Sequence, residues 1–150
     1  MHLLFVPKGG VDLYHTLVES ETSRQTLRFY HPRRVPCGVL LQASSLGSAV
    51  SLASELKWYV ARYMQDVLFE VNGDIYCTWS LASQVYERNV RLQPPWEIRF
   101  LYGFRDGQLA KVVQMEPDGK REQYLADMGE MEKMLEVWAT PADLEDTKNS

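Results

Sequence analysis

The densest set of chemically capable side chains lies between Arg24 and Arg34. There Arg24, Arg28, Arg33 and Arg34 stand with His31 in eleven residues, and Phe29 and Tyr30 fall between them. Guanidinium forks match carboxylate and phosphate geometry, and aromatic rings stack on bases or on other guanidiniums. The segment therefore reads as an anion-binding candidate built from Arg24, Arg28, Arg33, Arg34 and Tyr30. It would take an acidic peptide, a phosphate or a short piece of nucleic acid. The plainer reading is an edge strand whose charges oppose aggregation and pair with the chain's own acids.

Cys37 follows in Arg33-Arg34-Val35-Pro36-Cys37-Gly38. Two cations three and four residues earlier would lower a thiol pKa if the sulfur stayed accessible, and His15 or His31 would be its base. No base or oxyanion hole is fixed by spacing, so a Cys37-dependent enzyme is the weakest reading and no catalytic residue is assigned. His2, His15 and His31 are scattered, and no C-x-x-C, H-E-x-x-H or calcium-loop spacing occurs. Gly9-Gly10 lacks the phosphate-loop pattern. The expectation is no metal and no cofactor. Asp66, Glu70 and Asp74 surround a hairpin signal and read as the solvated face of a sheet rather than as an acid/base pair.

Trp58 is the other candidate. Between Ser48 and Met64, Ala49, Leu52, Ala53, Leu56, Val60, Tyr63 and Met64 recur at helix spacing. Trp58 projects from the opposite side, among Ser51, Ser54, Glu55 and Arg62. An indole on a polar face needs a second surface to cover it. Trp, Tyr and Arg recur at the energetic centres of interfaces. Trp58, Tyr59, Arg62 and Glu55 are thus the partner-binding candidates, for another protein or a second copy of the chain. The competing reading is that the chain's own N-terminal strands cover the ring.

The elements that position these groups follow from pattern and turn chemistry. Leu3–Val6 and Val11–Leu17 read as strands around Pro7-Lys8-Gly9-Gly10. Glu19 to Ser23 reads as a turn, Gln25–Tyr30 as a strand, His31–Cys37 as a loop and Val39–Ala43 as a buried strand. Ser44, Ser45 and Ser48 offer N-caps to the central helix. Val67, Phe69 and Val71 alternate before Asn72-Gly73, a hairpin turn, and Ile75, Cys77 and Trp79 continue beyond it. Ser80–Asn89 fits helix or strand. Trp96–Phe104 alternates cleanly, Asp106-Gly107 turns, and Leu109–Met115 and Arg121–Leu125 extend the meander. Asp127 with Glu130 resembles a capping box for a last helix carrying Met131, Met134, Leu135 and Trp138.

This order predicts an α+β fold: a twisted antiparallel sheet of about eight or nine short strands, with one central and one C-terminal helix packed on it. One domain spans 1–140, and 141–150 is a flexible polar tail. No apolar run reaches the roughly 18 residues a bilayer crossing needs. The opening MHLLFVPKGG has no basic n-region, and two cysteines make no disulfide framework. The expected compartment is therefore intracellular, in the cytoplasm. Net charge is −4 but segregated: residues 1–50 hold five Lys/Arg against three Asp/Glu, and residues 101–150 hold six against eleven. That balance disfavours general nucleic-acid binding. The leading expectation is a non-enzymatic protein–protein interaction module, such as an adaptor, an inhibitor or immunity-type protein, or an assembly subunit. The alternative is a small-ligand or nucleic-acid binding domain using the concave side of the sheet or the 24–34 segment.

Overall fold

Eight strands form one sheet in a computed structural model that describes residues 1–88 and 90–148. The strands are β1 (His2–Pro7), β2 (Arg33–Val35), β3 (Gly38–Gln42), β4 (Met64–Asn72), β5 (Ile75–Thr78), β6 (Arg99–Arg105), β7 (Gln108–Met115) and β8 (Lys133–Trp138). Their spatial order is β2-β3-β1-β4-β5-β8-β6-β7, and every neighbouring pair is antiparallel except β5–β8. The fold is α+β. Seven short helices accompany the sheet: α1 (Leu13–Glu19), α2 (Glu21–Leu27), α3 (Leu46–Glu55), α4 (Lys57–Tyr63), α5 (Trp79–Arg88), α6 (Leu125–Met128) and α7 (Pro141–Lys148). Among the described residues no helix is long and apolar enough to cross a membrane.

Alternation along the strands sends side chains to two cores. Leu3, Phe5, Val39, Leu41, Val67 and Phe69 face α1–α5 and pack on Leu13, Leu17, Leu27, Leu52 and Leu56. Leu4, Val6, Leu68, Tyr76, Phe100, Phe104, Leu135 and Val137 fill the opposite face. That second cluster joins β1 to β6, and β1 touches β7 as well. The sheet therefore curls around its own inner core, and the five helices lie outside the curl. A small third core, Leu101, Met115 and Met128, sits under a 3₁₀ turn (Arg121–Tyr124) and α6.

The hairpin signals hold. Gly73 takes φ +55° in the β4–β5 turn, and Asp106 and Gly107 take φ +57° and +75° between β6 and β7. Ser45 is the cap of α3, its Oγ accepting the Ser48 N–H at 3.1 Å. The ambiguous stretch after Trp79 is α5; Asn89, at its end, lies outside the described residues.

Several expected elements differ. Val11–Leu17 is not a strand but α1, capped by the Asp12 carboxylate on the His15 N–H, with Leu13 and Leu17 buried one turn apart. Gln25–Tyr30 is not a strand either: its first three residues end α2, where Ser23 and Leu27 are buried one turn apart, and Arg28–Tyr30 form the turn that follows. The loop at His31–Cys37 contains β2, the edge strand. The central helix does not run through to Met64: it breaks at Leu56, α4 restarts at Lys57, and Met64 opens β4. Arg121–Leu125 is helical rather than extended.

The expected last helix is largely β8. Leu135 and Val137 face the inner core while Met134 and Trp138 face the outer ones. A strand covered on both sides carries a near-continuous apolar run, which mimics a helix stripe. The C-terminal helix comes later: Pro141–Lys148, where a loose tail was expected, forms α7. The Asp143 carboxylate accepts from the Thr140 N–H at 2.8 Å and from Thr78 Oγ1 at 2.7 Å, tying its first turn to β5. Residues 149–150 of that expected tail lie outside the described residues.

Candidate functional site

The break at Leu56 turns α4 so that Trp58 points outward. The residue is 54% exposed. The ring is nonetheless held. Arg62, one turn on, lays its guanidinium 4.4 Å from the indole centroid. Tyr59 and Tyr63 meet the indole edge-on, with centroids at 4.9 and 6.1 Å. Tyr59 is itself anchored through a 2.6 Å hydrogen bond between its hydroxyl and Ser20 Oγ. Lys8 Nζ donates to the Ala61 carbonyl at 2.8 Å and brings a further cation to the helix. Among the described residues Lys8, Lys57 and Arg62 form no ion pair. The result is a fixed aromatic knob on a cationic helix. Covering the open half of an indole, roughly 250 Å² in all, at about 25 cal/mol per Å² would contribute about 3 kcal/mol to an interface. Of the four residues singled out from spacing, Trp58 and Arg62 form the knob and Tyr59 is its half-buried support. Glu55 is exposed at the end of α3, and among the described residues it makes no side-chain hydrogen bond or ion pair with the cluster.

The arginines of the 24–34 segment are not brought together. Arg24 and Arg28 lie exposed at the end of α2, where Arg28 stacks on its neighbour Phe29 at 4.6 Å. Arg33 and Arg34 are successive strand residues and leave opposite faces of β2. Arg34 pairs with Asp12 at 2.9 Å and stacks on Tyr14 at 4.7 Å. Arg33 stands opposite Leu40, on the inner side of the curl. Tyr30 packs into the outer core. A cleft of about 340 Å³ beside Arg34 has its cation and its Asp12 anion already spent on each other.

Cys37 is 4% exposed, and burial pushes its thiol up to about 12, with Lys133 only partly opposing. The charges that reach it belong to Lys133 and Asp74, while exposed His15 pairs with Glu19 one turn along α1. Burial of this kind keeps the thiol protonated and makes it a poor nucleophile at neutral pH. Titration with a thiol-specific reagent at pH 7.5 is expected to label Cys37 at least tenfold more slowly than free cysteine; labelling at the free rate would contradict this placement.

The three carboxylates near the β4–β5 hairpin each have their own partner. Asp74 binds Lys133 Nζ at 2.9 Å. Burial would raise Glu70, but the His2 ring and backbone N–H groups outweigh it and hold the carboxyl below its usual range. Asp66 points into the inner core, where it accepts from the Tyr102 hydroxyl at 2.6 Å and from the Val67 N–H at 2.9 Å. Burial dominates there and pushes Asp66 up to about 6, despite both bonds. Among the described residues no three His, Cys, Asp or Glu gather as a metal site.

Two polar centres escaped the sequence reading. One is the Asp66–Tyr102 pair. The other is Arg99, buried in β6, which binds Glu136 at 3.3 Å and donates to the carbonyls of Glu116, Pro117 and Gly119. Both join residues well separated in sequence, 36 positions for Asp66–Tyr102 and 17 to 37 for the Arg99 bonds, and no local spacing announces either.

The model of a family of unknown function (DUF5804) matches residues 1–104, a stretch that holds α4 and its aromatic cluster. No curated protein and no solved structure matches the chain.

Proposed function

We propose that this chain, which belongs to that family, is a non-enzymatic protein–protein interaction module that docks through the α4 face. The observation that carries the reading is the half-exposed Trp58 clamped by Arg62, Tyr59 and Tyr63. An aromatic already fixed in one orientation loses little conformational entropy on binding, which is what an anchor residue requires. The occupant is a partner protein that offers an apolar recess for the indole, flanked by carboxylates. Lys8, Lys57 and Arg62 supply the complementary charge and speed the encounter. Two unpaired buried thiols, Cys37 and Cys77, accord with an intracellular setting. The reading needs no cofactor. The nucleic-acid alternative loses support because the arginines of residues 24–34 diverge.

Trp58→Ala should weaken binding of the partner recovered by affinity purification about thirtyfold or more, since an anchor of this kind contributes about 2 kcal/mol or more. Its thermal midpoint should stay within a degree or two of wild type, because the ring lies outside the core. Tyr86→Ala, which removes an equally open ring (56% exposed) away from this cluster, should leave binding unchanged. A titration giving the same dissociation constant for Trp58→Ala and wild type would remove α4 as the docking face.

A further inference from the structure

The inner side of the curl opens into a cavity of about 500 Å³ beside the β4–β5 hairpin. Leu4 and Leu40, paired across β1 and β3, form its apolar wall together with Leu135 of β8. Two ion pairs stand at its mouth: His2 Nδ1 to Glu70 Oε2 at 3.0 Å and Lys133 Nζ to Asp74 Oδ1 at 2.9 Å. Tyr76 of β5 completes the wall. The residue is 7% exposed, and among the described residues its hydroxyl makes no hydrogen bond to the protein and stays open to the cavity. The other tyrosine of the inner core, Tyr102, is bonded to Asp66. A donor on an apolar wall with no protein partner is free to bond a molecule seated in the cavity.

We propose that this pocket binds a small, uncharged, mainly apolar molecule carrying one hydrogen-bond acceptor, which the Tyr76 hydroxyl holds. The size suits a molecule of ten to twenty heavy atoms, and apolar walls with few polar groups are the usual make-up of such sites. Charge argues for neutrality. Glu70 and Asp74 are each paired with a cation, His2 and Lys133, so the lining offers no unpaired charge to an ion of either sign, and Arg33 is the weakest influence on the hydroxyl. Burial, with Glu70 next in effect, pushes the Tyr76 hydroxyl up to about 12, so it stays a donor throughout the physiological range. Cys37 beside it is an uncharged thiol for the same reason of burial. The site shares no residue with the α4 face.

Methyl-resolved NMR with N-phenylbutanamide tests this, with 4-phenylbutyrate and 4-phenylbutylammonium as charged counterparts of similar size. The amide should shift the Leu4, Leu40 and Leu135 methyl resonances saturably, and both ions should bind at least tenfold more weakly. Tyr76→Phe should weaken the amide about tenfold, the worth of one buried hydrogen bond. It should also leave the thermal midpoint unchanged or higher, because the hydroxyl has no partner to lose. Trp58→Ala should not alter amide binding, so this test stands or falls apart from the docking one. Absence of saturable shifts, equal affinity in Tyr76→Phe, tighter binding of either ion, or a destabilised Tyr76→Phe would each overturn the proposal.

Discussion

Replacing Arg99 by methionine is expected to destabilise the fold by about 3–5 kcal/mol, the usual cost of leaving a buried ion-pair partner uncompensated. The guanidinium joins three separate parts of the chain. One nitrogen meets Glu136 on the neighbouring strand at 3.3 Å, and another serves three carbonyls of the loop after β7. Glu136 in turn accepts from Trp138 Nε1 at 2.6 Å, and Trp138 stacks on Trp96 with centroids 5.8 Å apart. Methionine fills comparable volume but strands one carboxylate and three acceptors. Lysine keeps the charge without the fork and should recover less than half of the loss. Urea unfolding followed by far-UV circular dichroism reads the effect, as a midpoint lowered with an unchanged slope. Arg99→Met combined with Glu136→Leu should cost less than the two single changes together, because the second removes the stranded charge. A loss below about 1 kcal/mol for Arg99→Met would show that the loop is held by other means.

Asp66→Asn should stabilise the protein at pH 8 and leave it unaltered near pH 4. The carboxyl titrates at about 6 in the folded state against 3.8 when free, because burial opposes its charge. A carboxyl with a raised folded pKa favours folding in its protonated form. That contribution is complete below about pH 4 and is lost as pH rises through 6. A shift of this size corresponds to about 3 kcal/mol, reduced to about 2 by residual contact with water. Asparagine keeps both bonds without the charge: its carbonyl accepts from the Val67 N–H, and its amide donates to the Tyr102 oxygen. The difference in unfolding free energy between variant and wild type should therefore climb from near zero at pH 4 to about 2 kcal/mol at pH 8. A difference that stays flat, or falls with pH, would mean that Asp66 is ionised at little cost.

The sheet was the legible part of the sequence. Period-two runs ending in Asn72-Gly73 and Asp106-Gly107 place the two clearest hairpins, because turn chemistry and alternation agree there. The N-terminal helices were not legible. α1 and α2 have seven residues each, so each shows only one buried i,i+4 pair, and Val, Thr and Tyr within them favour strands as readily. β8 was hidden by burial on both faces. At the α4 face, helix spacing put Trp58 opposite the apolar stripe with Arg62 one turn on, but it gave neither the break at Leu56 nor the stacking of the guanidinium on the ring. The anchor from Ser20 to Tyr59 did not, since it joins residues 39 positions apart. The wall of the inner cavity comes from β1, β3, β5 and β8, which meet only once the sheet has formed and curled.

Photo-crosslinking at position 58 addresses the docking claim most directly. The full-length chain carrying p-benzoylphenylalanine at 58 is expressed in its native cell, beside chains carrying it at Phe29 or Tyr86, whose rings are at least as open. The account expects a single dominant adduct at 58, formed with another protein through an acidic peptide, and little at 29 or 86. No adduct at 58, equal yields at all three positions, or an adduct only with a second copy of the same chain would contradict it.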